Sequence, residues 1–277
     1  MKNKMTIKNL LDYGYLYQSK NEVRLLLSTI LNINSLELNL HLEDKVDEEK
    51  KNKFYDAIDR LNNGEPLQYI LSNANFYGYD YYVNKNVLIP RFETEELVYQ
   101  TLEYLKKIKP NAKVLDLCTG SGCIGLTLKQ ELNTLDVTMS DISREALEVT
   151  KINKDKYNVD CPIIESDLFE NITGKFDCII SNPPYISRDE EVMELVKNNE
   201  PELALYADNN GLAIYERIFK EAKHYLNESY LLALELNSNK SQEIYNLAEK
   251  YFPGNKLIIK KDNYGRERML FILKDFE

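Results

Sequence analysis

The stretch Asn182-Pro183-Pro184-Tyr185 directly follows the run Cys178-Ile179-Ile180-Ser181. Its residue types combine into one piece of chemistry. A planar amide nitrogen is a poor nucleophile because its lone pair is delocalised. The side-chain oxygen of Asn182 can accept one of its N–H groups, and the main-chain carbonyl of Pro183 can accept the other. Two acceptors on two hydrogens fix the nitrogen and favour positive charge growing on it. The prolines keep those acceptors from reorganising, and Tyr185 can stack on the planar group. A proline turn that merely ends a strand would explain Pro183 and Pro184, but neither neighbour. The pattern needs no group of shifted pKa. That suits a chain with two histidines, His41 and His224, too few for imidazole acid–base or triad chemistry.

A second constellation is Asp116-Leu117-Cys118-Thr119-Gly120-Ser121-Gly122, with Gly125 three residues on. Glycines allow a tight turn and let a ligand approach the peptide groups. Gly120 to Gly125 fits the GxGxxG dinucleotide fingerprint, a weak signal by itself. Asp141 lies 21 residues after Gly120, at the end of the next strand candidate, where its carboxylate can accept both hydroxyls of a ribose. Nicotinamide dinucleotides and S-adenosylmethionine both carry that ribose, so these features do not separate them. Asp116 favours the second, because a carboxylate ahead of the glycines repels a pyrophosphate and attracts the amino group of a methionine moiety. Ser166-Asp167-Leu168-Phe169 follows the third candidate. There Asp167 can accept the adenine amino group and Leu168 can cover the ring. The joint expectation is methyl transfer from S-adenosylmethionine to a planar nitrogen.

These loops need a frame to hold them. Strand candidates fall at 113–117, 136–140, 161–165, 177–181, 230–236, 256–260 and 268–273, with helical patterns between most of them. A helix over 93–107 should turn Leu97, Val98, Thr101, Leu102 and Leu105 inward. Such alternation predicts a mainly parallel sheet wrapped by helices. Only the short turn 262–265 separates the last two strands, so they should pair antiparallel. Seven strands with that finish match the methyltransferase variant of the doubly wound sheet; a dehydrogenase sheet would be expected to finish parallel.

The first 72 residues read as helical. Val23, Leu26, Leu27, Ile30 and Leu31 share one helix face, with Asn21 as N-cap. Phe54, Ala57, Ile58 and Leu61 share another after an acidic turn at Asp47, Glu48 and Glu49. Gly64 stops that helix, and Pro66 opens a short one over 67–71. Residues 75–89 change character. They predict a β-hairpin turning at Asn84-Lys85-Asn86, whose Tyr77, Tyr79, Tyr81 and Tyr82 suit half-buried packing better than base stacking.

Composition narrows the partners. The net charge is −10, and no cluster of Lys or Arg stands out, which disfavours a nucleic-acid partner. Cys118, Cys123, Cys161 and Cys178 form no CxxC pair, and with two histidines they make no zinc pattern. No run approaches the ~18 apolar residues of a membrane span, and no signal peptide is evident. The chain therefore reads as cytoplasmic, without metal or membrane contact.

At this point the chain resembles the HemK/PrmC family of peptide-chain release factor glutamine methyltransferases. The resemblance runs over nearly the whole length. It is carried by Gly64-Glu65-Pro66-Leu67-Gln68-Tyr69-Ile70-Leu71, Val87-Leu88-Ile89-Pro90-Arg91 and Glu93-Thr94-Glu95. In the second half it rests on Asp116–Gly122, Asp141, Ser166-Asp167, Asn182–Tyr185, Glu200-Pro201, Ala204-Leu205, Gly211-Leu212, Asp262, Gly265, Arg266 and Arg268. It implies a class I, Rossmann-like α/β fold: an N-terminal helical substrate-recognition domain over 1–72, a β-hairpin linker over 73–90 and a methyltransferase domain over 91–277. It further implies methylation of the amide N5 of the glutamine in the Gly-Gly-Gln motif of release factors, with S-adenosylhomocysteine as product; a monomer is expected.

Site residues follow from the same resemblance. Cys118, Thr119, Gly120, Ser121, Gly122, Asp141, Leu168 and Asn182 would hold the cofactor, joined by Asp116 and Asp167 from the residue reading above, and Asn182, Pro183, Pro184 and Tyr185 the substrate glutamine. Three residues depart from the family pattern: Cys118 and Asn237 where Gly is usual, and Phe92 where Pro is usual. Cys118 would be tolerated if its backbone dihedrals are ordinary. The tetrapeptide alone also fits an amino-methyltransferase acting on adenine or cytosine. A non-catalytic binding module and an oxidoreductase are opposed by the intact Asn182 and by the antiparallel finish.

Overall fold

The computed structural model describes residues 5–276. The chain divides into two compact units. One comprises the residues up to Asn73 together with Glu194–Asn199; the other comprises Ala74–Met193 and the chain from Glu200 onward.

The first unit contains α1 (Ile7–Gly14), α2 (Lys20–Leu31), α3 (Glu48–Asn62) and α4 (Leu67–Leu71). Their apolar faces close over a core that includes Leu10, Leu26, Leu27, Phe54 and Ile58. Ser19, not Asn21, caps α2, its side chain accepting the Glu22 N–H. Asn21 lies one residue inside the helix. Asp47 caps α3 by accepting from Lys50 N, which leaves Glu48 and Glu49 to meet the helix dipole. Gly64 takes φ +83° after α3, and its carbonyl accepts from Asn199 Nδ2 at 2.8 Å.

The second unit opens with β1 (Ala74–Phe76) and β2 (Tyr79–Tyr81), which pair antiparallel. The hairpin therefore turns at Tyr77-Gly78, not at Asn84-Lys85-Asn86. A type I′ two-residue turn needs positive φ at both positions, and Tyr77 (54°) and Gly78 (82°) supply it. Asn84 instead organises a separate turn, its side chain accepting from Asn86 N.

The remaining elements are α5 (Phe92–Ile108), β3 (Lys113–Leu117), α6 (Cys123–Glu131), β4 (Asp136–Asp141), α7 (Arg144–Lys156), β5 (Ile163–Glu165) and β6 (Phe176–Ser181). They continue with α9 (Glu202–Leu205), α10 (Ala213–Glu221), β7 (Leu226–Glu235), α11 (Ser241–Tyr251), β8 (Lys256–Lys261) and β9 (Glu267–Lys274); α8 is Glu194–Asn199 of the first unit. Seven strands form one sheet in the order β5-β4-β3-β6-β7-β9-β8. The first five run parallel, and β9 pairs antiparallel with both β7 and β8, as the short turn requires.

Alternation along the strands feeds two cores. Val114, Cys178, Ile180 and Ala233 meet α5 and α6 on one face. Leu115, Ile179, Leu232 and Leu234 meet α10 and α11 on the other. The third strand begins at Ile163 rather than Cys161, because its pairing with β4 starts at Met139↔Ile163. Among the described residues no helix is long and apolar enough to cross a membrane.

Candidate active site

The sheet order reverses between β3 and β6, since the chain winds outward from β3 through β4 to β5 and then returns to β6. Leu117 pairs with Ser181, so the glycine loop and the tetrapeptide leave the sheet side by side. Open α/β sheets bind ligands at such a switch point. A cavity of about 250 Å³ lies here, walled by both loops, near the lower end of small-molecule sites.

The glycine loop is held through its backbone. Asp141 at the end of β4 accepts Gly120 N–H at 2.8 Å and Ser143 N–H at 2.9 Å. Thr150 on α7 donates to the Gly120 carbonyl at 2.8 Å, and buried Asn153 donates to the Ser121 carbonyl at 2.9 Å. Asn153 also exchanges hydrogen bonds with both main-chain groups of Tyr82. Burial raises the Asp141 pKa against these N–H donors. Neither Thr150 nor Asn153 bears a sequence signal: both sit on an ordinary helix whose docking alone brings them to the loop.

Asp116 is fully buried and does not line the cavity. Its Oδ2 accepts from Thr119 Oγ1 at 2.5 Å and Gly125 N at 2.9 Å, while Oδ1 has no partner among the described residues. Burial lifts its pKa to about 7. Cys118, Thr119, Gly120, Ser121, Asp141, Asp167 and Leu168 do line the cavity; Gly122 instead caps α6. Asp167 pairs with Arg217 at 2.9 Å, another lining residue that the sequence did not single out.

Cys118 has φ +61°, the left-handed region where glycine is at home. Its dihedrals are not ordinary, so this departure carries a backbone cost. The Asn237 departure is used instead: its Nδ2 donates to Glu190 Oε1 at 3.0 Å and reaches the Tyr185 carbonyl at 3.4 Å. Phe92 occupies the first position of α5 and is exposed, a place where Pro is favoured but not needed.

The tetrapeptide is held through side chains. Asn182 and Pro184 line the cavity, whereas Pro183 and Tyr185 do not. Asn182 Nδ2 donates to Thr94 Oγ1 at 3.2 Å, and Thr94 Oγ1 donates to Glu235 Oε2 at 2.6 Å. Tyr185 donates its hydroxyl to Glu235 Oε1 at 3.1 Å. Burial raises the pKa of Tyr185 and of Glu235. Gly211 abuts the same segment, because a Cβ there would sit 2.4 Å from the Tyr185 carbonyl oxygen. Glu200 ties down the segment before α5, accepting from Ile89 N at 3.2 Å and Arg91 Nη2 at 2.5 Å.

Residues 95–204 match the methyltransferase small domain, and residues 7–71 match the PrmC N-terminal domain. The release factor glutamine methyltransferase of Streptococcus pneumoniae is 41% identical over 227 residues, 81% of each chain. The chain belongs to the release factor glutamine methyltransferase family. The family member of Bacillus cereus is 32% identical over 261 residues, 92% of each chain. A methyltransferase structure from Pyrococcus furiosus superposes with a TM-score of 0.53 at 19% identity, over 72% of this chain and 90% of that one, a likeness of fold alone. Within the family frame, Thr94 and Glu235 stand out as residues that sequence reasoning left without a role at the tetrapeptide.

Proposed function

We propose that this protein transfers a methyl group from S-adenosylmethionine to the side-chain amide N5 of the glutamine in the Gly-Gly-Gln motif of peptide-chain release factors. The observation that carries the reading is Asn182 at the cavity wall: its Nδ2 is committed to Thr94, and its Oδ1 accepts no hydrogen bond among the described residues. That oxygen is free to accept one N–H of a glutamine amide. The Pro183 carbonyl takes the other, and Tyr185 stacks on the amide plane.

The cavity residues fit the cofactor. An adenosine bearing an amino-acid tail needs acceptors for its ribose and its ammonium. Asp141 and Asp167 present carboxylates to the cavity, Leu168 adds an apolar wall, and the orphaned Oδ1 of Asp116 lies behind the loop. A Cβ at Gly120 would meet nothing within 4 Å, so the loop backbone there faces open space. When bound, S-adenosylmethionine supplies an electrophilic methyl, and the N–C bond forms as the S–C bond breaks. Asn182 and Pro183 orient the nitrogen throughout, and its proton leaves to solvent afterwards.

We assign substrate recognition to residues 1–72, a linker to 73–90 and the methyl-transfer machinery to 91–277, and we expect a cytoplasmic monomer. The names of the relatives and the net charge of −10 support a protein substrate over a nucleic acid. The test is incubation with labelled S-adenosylmethionine and, in separate arms, a release factor, its Gln→Ala motif variant, or RNA or DNA. Label on the first alone is expected. Equal label on both forms of the factor would refute glutamine as the acceptor, and label on RNA or DNA alone would move the acceptor to a base.

A further inference from the structure

We propose that Glu235 is a positioning residue: one buried carboxylate sets the orientation of the Asn182 amide through Thr94 and anchors Tyr185 directly. The inference rests on the methyl-transfer reading above and adds to it the group that aligns both ends of the tetrapeptide.

Glu235 is the last residue of β7 and is 2% exposed. Its Oε2 takes the Thr94 hydroxyl proton at 2.6 Å, and its Oε1 takes the Tyr185 hydroxyl proton at 3.1 Å. A threonine hydroxyl has one proton. With that proton on Glu235, Thr94 Oγ1 can only accept from its other neighbour. At 3.2 Å, Asn182 must therefore present its NH2 group to Thr94, which leaves its oxygen for the substrate. The reversed amide would set two acceptors against each other and would meet the substrate nitrogen with a donor, the wrong polarity for a group whose hydrogens need acceptors.

The elements explain why these three residues meet. Glu235 follows Ala233 by two positions on β7 and so shares its sheet face, the one that packs α5. Thr94 is buried in the first turn of α5. Asn182 follows β6, the strand next to β7. A buried carboxylate is costly unless its lone pairs are taken up, and here they are taken up by the two hydroxyls that contact the tetrapeptide.

The test compares wild type with Thr94→Val, which keeps the shape without the hydroxyl, with Thr94→Ser, which restores it, and with Glu235→Gln, whose amide can donate to Thr94 and reverse the chain. We expect Thr94→Val and Glu235→Gln each to lower kcat on a release factor by about tenfold or more. Affinity for S-adenosylmethionine, measured by calorimetry, should stay within about twofold. The double variant should lose no more than the worse single one, and Thr94→Ser should recover most of the Thr94→Val loss.

The second readout needs no substrate. In protein labelled with ¹⁵N-asparagine, the Asn182 side-chain NH2 resonances, assigned through Asn182→Ala, should shift in Thr94→Val and Glu235→Gln and return in Thr94→Ser. Unchanged kcat in an otherwise active enzyme, or unchanged amide resonances, would overturn the proposal. If wild type does not methylate a release factor, the functional reading falls, and the amide resonances alone decide the orientation.

Discussion

The two loops that leave β3 and β6 are neighbours in space but are fixed by opposite means. The glycine loop is gripped by its main chain: Asp141, Thr150 and Asn153 bond its peptide groups, and its own side chains are small. The tetrapeptide has prolines where such donors would be. Asn182 and Tyr185 are instead tethered through side chains to Thr94 and Glu235. A backbone-held loop tolerates side-chain change but not a change of dihedral. A side-chain-held one fails when a single hydroxyl or carboxylate is lost.

The largest expected effect falls on the side-chain-held loop. Asn182→Ala removes an acceptor aimed at charge that develops only during transfer, so kcat should fall by about a hundredfold to a thousandfold, as for a lost oxyanion donor. Cofactor affinity should change far less. Single-turnover label transfer and calorimetry separate the two, and activity within a few-fold of wild type would break the comparison.

Gly211→Ala comes next and is read as stability. Its φ is +82°, and the new Cβ would lie 2.4 Å from the Tyr185 carbonyl oxygen. Strain and clash together should cost about 2 kcal/mol or more, with turnover falling as the tetrapeptide shifts. A melting temperature equal to wild type would show that the segment yields.

The same contrast explains what the sequence revealed. The glycine loop was legible because positive φ selects glycine and because Asp141 follows at the spacing of one strand–helix–strand unit. The sheet was legible because apolar alternation and turn length dictate pairing. The hairpin turn was misplaced because Tyr77, a residue with no turn preference, takes positive φ beside Gly78, while the more turn-like Asn84 makes only a local Asx bond. Thr94 and Glu235 were illegible in role because they lie 141 residues apart in the chain. Only the docking of α5 on the β7 face joins them, and nothing local marks a glutamate ending a strand as a tether.

The backbone-held loop gives a smaller, pH-dependent effect. Asp116 is raised from 3.8 to about 7 by burial. The folded state therefore binds its proton more tightly than the unfolded chain does. Wild-type stability should be favoured at low pH and decline as pH rises from about 4 to about 7, then flatten. Asp116→Asn keeps an acceptor for Thr119 and Gly125 and removes the titration. The variant should gain on wild type as pH rises from about 4 to about 7 in denaturant melts, and the gain should hold steady above that. A difference in stability that does not vary with pH would refute the buried-charge account.

The smallest effect tests the grip on the main chain itself. Cys118 holds φ +61°, which costs an L-residue roughly 1–2 kcal/mol relative to glycine. Cys118→Gly removes that cost but adds freedom to the unfolded chain, worth about 0.4–1 kcal/mol in the other direction. The balance should lie between about zero and about 1.6 kcal/mol in favour of the variant, a rise of at most a few degrees in the unfolding midpoint. Because Asp141, Thr150 and Asn153 bond the backbone at Gly120 and Ser121 rather than the Cys118 side chain, cofactor affinity should remain near that of wild type. A marked loss of affinity would show that the thiol, half-buried at the cavity wall, contacts the ligand and that the loop is held by more than its peptide groups.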